Sequence, residues 1–137
     1  MINQIFSIRG ATTVTENTAK AIVERSVELI KEIVERNGLN INADLEATDI
    51  LISTTEDLTA AYPAKAVRES GLINAPLFSI QEPTIKGALP MCIRYMIRIA
   101  NYGEAAARLS VRGEKASSRP CGKIIERRNG GVYEHSD

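Results

Sequence analysis

Four charged residues of this chain fall where small folds commonly place chemistry. Arg9 closes an apolar, β-branched run, Arg68 sits on a short segment after a loop, Glu82 follows another apolar run, and Arg94 follows a turn. Three cations and one carboxylate at such places suit a small anionic ligand. Arginine fits that task because its rigid fork meets a carboxylate with two parallel hydrogen bonds. The competing reading makes each arginine half of a surface ion pair, worth at most about 1 kcal/mol. Other chemistries are poorly served. The lone histidine, His135, lies in a probable C-terminal tail, so no Ser-His or Cys-His pair is expected. Cys92 and Cys121 are too few and too far apart for a disulfide framework or zinc spacing. No zinc site is expected.

Those residues need elements to hold them. Residues 4–10 are predicted to form a strand ended by Gly10, which would put Arg9 at a strand end. Residues 12–17 read as a polar turn with several possible helix caps. Ile22, Val23, Val27, Ile30, Ile33 and Val34 mark one face of a long amphipathic helix over 18–37, stopped by Gly38. The unbroken apolar run in 49–54 predicts a strand buried on both faces. Pro63 opens a short helix that Gly71 closes after Ser70. Residues 76–80 give a third strand, broken at Glu82-Pro83. From Pro90 to about residue 100, Leu89, Ile93, Met96 and Ile97 recur at helical spacing. A helix is predicted there, with Cys92 as a core thiol near its apolar side and Arg94 and Arg98 together on another face. Residues 105–111 read as a last strand. The pattern fades after Gly113, and residues 114–128 carry five basic residues against two acidic. One domain is expected over 1–113, with 114–137 a mobile segment or lid.

Composition bounds the function. The chain has 137 residues and a mass of 15.0 kDa, the size of one domain. Seventeen Lys and Arg balance seventeen Asp and Glu. That balance argues against a free basic nucleic-acid binder, and two Phe, four Tyr and no Trp leave few rings to stack on bases. No apolar run approaches the length of a membrane span, and residues 1–8 lack the run of a signal peptide. A cytoplasmic protein that interacts with neither nucleic acid nor membrane is expected. With so few aromatics, part of the stability is expected from subunit contacts.

The local strings are more specific. They are Ile8-Arg9-Gly10-Ala11-Thr12-Thr13-Val14, then Tyr62-Pro63-Ala64-Lys65-Ala66-Val67-Arg68-Glu69, then Gln81-Glu82, then Cys92-Ile93-Arg94-Tyr95-Met96. In order and spacing the chain resembles the monofunctional, AroH-type chorismate mutases over residues 5–100, and more weakly to Arg119-Pro120. The resemblance implies an α+β fold, a small mixed β-sheet packed with helices. It also implies a homotrimer whose sheets form a pseudo-α/β-barrel, with active sites between subunits. The implied reaction is the pericyclic Claisen rearrangement of chorismate to prephenate, an isomerisation in aromatic amino acid biosynthesis that needs no cofactor, metal or covalent intermediate. By resemblance Arg94 is the cation at the ether oxygen, Arg9 binds the side-chain carboxylate, and Glu82 accepts a hydrogen bond from the ring hydroxyl. Tyr62, where the family usually has Phe, would wall the pocket. Lys65 and Arg68 would bring positive charge to its mouth, Phe78 and Ser79 would line the ring side, and Arg119 would touch substrate from the C-terminal side.

Besides Tyr62, the chain departs from the family in three places within the predicted elements. Ser79 replaces a usual Cys, Phe78 replaces a small polar residue, and no Tyr stands in the last strand before Arg119-Pro120, where Ser110 or Val111 takes its place. Phe78 and the missing Tyr motivate one alternative, and a tail after Arg119-Pro120 that is longer and more basic than expected motivates another. One is a related enzyme acting on an amino or iso analogue of chorismate. The other is a non-catalytic trimer that binds an aromatic dicarboxylate or a protein partner.

Overall fold

A computed structural model describes residues 1–103 and the backbone of 124–129. Along the chain the elements are β1 (Gln4–Thr13), α1 (Ala19–Asn37), β2 (Leu45–Thr54), α2 (Pro63–Ser70), β3 (Leu77–Gln81), β4 (Cys92–Asn101) and β5 (Ile124–Asn129). The strands form one mixed sheet in the order β3-β2-β4-β1-β5. β2 and β3 run parallel, joined through α2, and every other neighbouring pair is antiparallel. This is the α+β arrangement expected from the sequence.

α1 is capped at both ends, while α2 opens on Pro63 with no side-chain cap and is closed by a glycine. The Thr18 hydroxyl accepts a hydrogen bond from the Ala21 N–H at 3.2 Å, which satisfies one of the amides left free at the start of α1. Gly38 closes α1 with φ 62°, and Gly71 closes α2 with φ 67°. α1 lays Ile22, Leu29, Ile30, Ile33 and Val34 on the sheet, while Val23 is exposed rather than on the buried face. There they meet Ile8, Ile50, Ile52, Ile97 and Ile99 in one core. Each such side chain contributes about 1.5–3 kcal/mol on burial.

The largest departure from the sequence reading is 92–101, which is strand and not helix. Ile93, Tyr95, Ile97 and Ile99 are buried, and they alternate with exposed Arg94 and Arg98 and half-buried Met96. The period is two residues, and the isoleucines favour the pleated surface of a central strand. β4 pairs on both sides, so Tyr95 faces Gly10 of β1 and Ile52 of β2. Leu89 lies outside the element. Arg94 and Arg98 do share a face, but for a strand's reason rather than a helix's.

β1 also corrects its expectation. It runs through Gly10 to Thr13, so Arg9 is mid-strand, and Thr12 and Thr13 belong to the strand rather than a turn. At Gly10 the side chains of α1 pack directly against the backbone of the sheet. A Cβ there would lie 2.6 Å from Cδ1 of Ile33 and 3.2 Å from Cδ1 of Leu29. β2 starts earlier than expected, with an irregularity between Ala47 and Asp49. It buries only Ile50 and Ile52 on one face, the other being half-exposed. β3 is shifted by one residue, to Leu77–Gln81. The strand expected over 105–111 lies outside the described residues. Within 114–137 the described part is β5, whose backbone pairs with Phe6–Ala11 of β1.

Candidate active site

Residues opposite one another on neighbouring strands share a sheet face. The register therefore sorts the polar residues into rows. Ala11, Arg94, Ser53 and Ile80 form one row from β1 to β3, and Arg9, Met96, Leu51 and Phe78 form the next. Both rows lie on the face opposite the helices. Arg9 and Arg94 are thus one strand and two residues apart, about 8 Å between Cα atoms. That spacing suits one small molecule with two anionic groups.

A cavity of about 540 Å³ opens on these rows, lined by Arg9, Leu51, Ser53, Glu82, Cys92 and Arg94 among others. Glu82 arrives from just beyond β3. Its backbone N–H donates to the Thr54 carbonyl at 2.8 Å, which extends the β2–β3 pairing by one residue. Its carboxylate accepts a hydrogen bond from the Ser53 hydroxyl, and the same Oε1 lies 3.8 Å from Nη1 of Arg94. The Glu82 side chain is 21% exposed and that of Arg94 51%. A hydrogen bond with the Cys92 side chain is the main cause that holds the Arg94 guanidinium above its ordinary pKa. Burial opposes this, and attraction to Cys92 and Glu82 supports it. Arg94 is accordingly a fixed cation at any working pH. Arg9 and Arg94 against Glu82 leave the cleft with excess positive charge, suited to a dianion.

Of the residues singled out in the sequence, the structure brings Arg9, Glu82 and Arg94 to one cleft. Of the remainder, those among the described residues do not line it. Tyr62 is exposed just before α2 and borders an adjoining hollow of about 470 Å³ together with Ser79. Ser79 faces the helix side of β3, opposite Ile52. Phe78 lies on the cleft face, one strand further out than Leu51, and is 64% exposed. Lys65 pairs with Glu69 at 3.8 Å on the surface of α2, and Arg68 is exposed on the same helix. Arg98 makes a half-exposed ion pair with Asp49 at 3.5 Å. Arg119, Ser110 and Val111 lie outside the described residues.

Sequence reasoning missed two residues of the cleft. Ser53 holds Glu82, and its signal was a hydroxyl interrupting an apolar strand. Thr13 lines the cleft with a buried hydroxyl that has no hydrogen-bond partner among the described residues. Cys92 is a buried core thiol as expected, but its side chain also steadies Arg94.

Comparisons with known proteins agree on one family. The family described as chorismate mutase type I matches residues 5–117. The chain is 42% identical over 89 residues to chorismate mutase AroH of Thermus thermophilus, covering 65% of this chain and 71% of that protein. It is 40% identical over 96 residues to chorismate mutase AroH of Bacillus subtilis (strain 168), covering 69% and 73%. Among solved structures, a chorismate mutase from Clostridium thermocellum aligns with a TM-score of 0.61 at 37% identity, over 74% of this chain and 87% of that one.

Proposed function

The chain belongs to the chorismate mutase type I family, and from that membership we infer that its cleft converts chorismate to prephenate. The enzyme is an isomerase of aromatic amino acid biosynthesis. The ether C–O bond breaks as a new C–C bond forms within the same molecule, so nothing leaves and no cofactor is called for. The observation that carries the assignment of roles is the pairing of Arg94 with Glu82 across 3.8 Å, with Arg9 one row away.

Negative charge builds on the ether oxygen in the transition state, and positive character builds on the ring. Arg94 meets the first more strongly in the transition state than in the ground state, which is what accelerates the step. Glu82, fixed by Ser53, accepts from the ring hydroxyl and faces the electron-poor ring. Arg9 binds the side-chain carboxylate and holds the folded, reactive conformer. Tyr62, Lys65, Arg68, Phe78, Ser79 and Arg119 complete the substrate contacts in this reading.

Most of that second set lies away from the cleft of its own chain, which supports a trimer with each site shared between neighbours. Ile5, Phe78 and Ile80 support it further. They are exposed on the face that no helix covers, and exposed apolar surface of this kind marks an interface. The cytoplasm is the compartment that suits such an enzyme.

The test is loss of chorismate absorbance with pure protein, beside an Arg94→Ala variant. Removal of one preorganised charge costs about 3–4 kcal/mol, a rate loss of several hundredfold. Equal rates for the two proteins, or no turnover above the spontaneous reaction, would sink the assignment.

A further inference from the structure

The start of β4 is held in an unusual way. Met91, the residue just before the strand, has φ 54°, and it is the one non-glycine residue with a positive φ among those described. A side chain disfavours that backbone, which persists only where neighbours over-determine it. Here they do. The Asp57 carboxylate accepts from the Met91 N–H at 2.9 Å, and the Val14 N–H donates to the Met91 carbonyl at 2.8 Å. Asp57 also accepts from the Thr55 hydroxyl, which in turn accepts from the Cys92 N–H at 2.9 Å. The Thr55 N–H donates to the Cys92 carbonyl at 3.1 Å. Two consecutive residues thus have all their backbone groups fixed, and three of those four bonds run to the 55–57 loop.

We propose that Asp57 is a positioning residue of the cleft. Through Met91 and Thr55 it sets the register and facing with which β4 begins. The reason lies in the two-residue period of a strand. A slip by one residue would turn Arg94 to the helix side and bring Ile93 and Tyr95 to the cleft. Cys92, the second residue of the clamp, opens β4 and lies two positions before Arg94, on the same face of the strand. Asp57 touches no reacting atom in this scheme; it decides where Arg94 points. The catalytic part rests on the chorismate mutase reading above.

Two measurements test it. Hydrogen exchange at Met91 and Cys92 needs no substrate and so stands apart from the question of what the enzyme turns over. In Asp57→Ala both amides should exchange faster while those of α1 keep their protection. The second is steady-state turnover. A misplaced catalytic group lowers kcat by about tenfold to a hundredfold, and KM should move less. Adding Met91→Gly to Asp57→Ala should recover several-fold of the lost kcat, because glycine adopts φ 54° without help. A merely structural carboxylate would show no such recovery. If Asp57→Ala does not fold, Asp57→Asn, which keeps one acceptor, takes its place with a smaller loss expected. Unchanged exchange at Met91 and Cys92 in the folded variant would overturn the proposal. So would unchanged kcat, or a lost kcat that Met91→Gly leaves where it was. Failure of the wild type to turn over chorismate would instead overturn the assigned reaction, leaving the exchange result to judge the clamp.

Discussion

Ser53 brings β2 into the chemistry. Its hydroxyl is the hydrogen-bond donor that fixes the Glu82 carboxylate within reach of Arg94. In Ser53→Ala the carboxylate keeps its charge but loses its orientation. A hydrogen bond to a charged group contributes about 1.5–3 kcal/mol, so kcat should fall by roughly ten- to a hundredfold. Chorismate turnover by that variant checks this, and an unchanged kcat would remove Ser53 from the mechanism. At this scale the sequence was readable in part. Arg9, Glu82 and Arg94 stand in specific strings, and they come together. Ser53 does not, because its importance depends on which residue of β4 it faces, and pairing partners are not written locally. The same holds for Asp57 and Thr55, which look like ordinary loop residues until Met91 is seen above them.

Among the elements, α1 and α2 were legible because their stops are chemical. Gly38, Pro63 and Gly71 each solve a local backbone problem that the sequence states outright, whereas the cap of α1 is Thr18, one residue past the 12–17 turn where caps were expected. β4 was misread for an equally physical reason. Ile93 and Ile97 fit both a helical spacing and a two-residue alternation, and the sheet decided between them by offering partners on both edges. The contact between α1 and the sheet is unforgiving at Gly10. Gly10→Ala should destabilise by about 1–3 kcal/mol through overpacking, read as a lower Tm. Ile33→Val removes the offending Cδ1 and should return part of the loss. The same joint contains Tyr95, whose hydroxyl donates to the Ser26 carbonyl at 2.9 Å. Burial raises the Tyr95 phenol well above its ordinary 10.0. The unfolded phenol releases its proton near pH 10, while the folded one retains it. This contribution to stability is therefore complete below pH 10 and is lost as pH climbs from there toward the folded value. Denaturant midpoints followed upward from about pH 9 should decline more steeply in the wild type than in Tyr95→Phe. Parallel curves would show that the phenol does not couple to folding.

For the whole molecule, one face of the sheet carries the helices and the other carries both the cleft and exposed apolar side chains. The trimer proposed above would place the second face inside. Sedimentation of the wild type should give three subunits, and Phe78→Asp should shift the protein toward single chains and lower its activity with them. A wild type that sediments as a monomer at assay concentration, yet turns over chorismate, would refute shared sites. The strand order has one more consequence, in time rather than in space. β1 is made first, but its neighbour β4 is made after α1, β2, α2 and β3, so that Gln4 lies opposite Asn101. Arg9 and Arg94 cannot come to the same cleft until nearly all the described chain has left the ribosome. Pairing so distant in sequence is slow to form, of order milliseconds to seconds in small domains. Until β4 inserts, β1 has no neighbouring strand and β2 has one unpaired edge, so the nascent chain is open to aggregation in that interval.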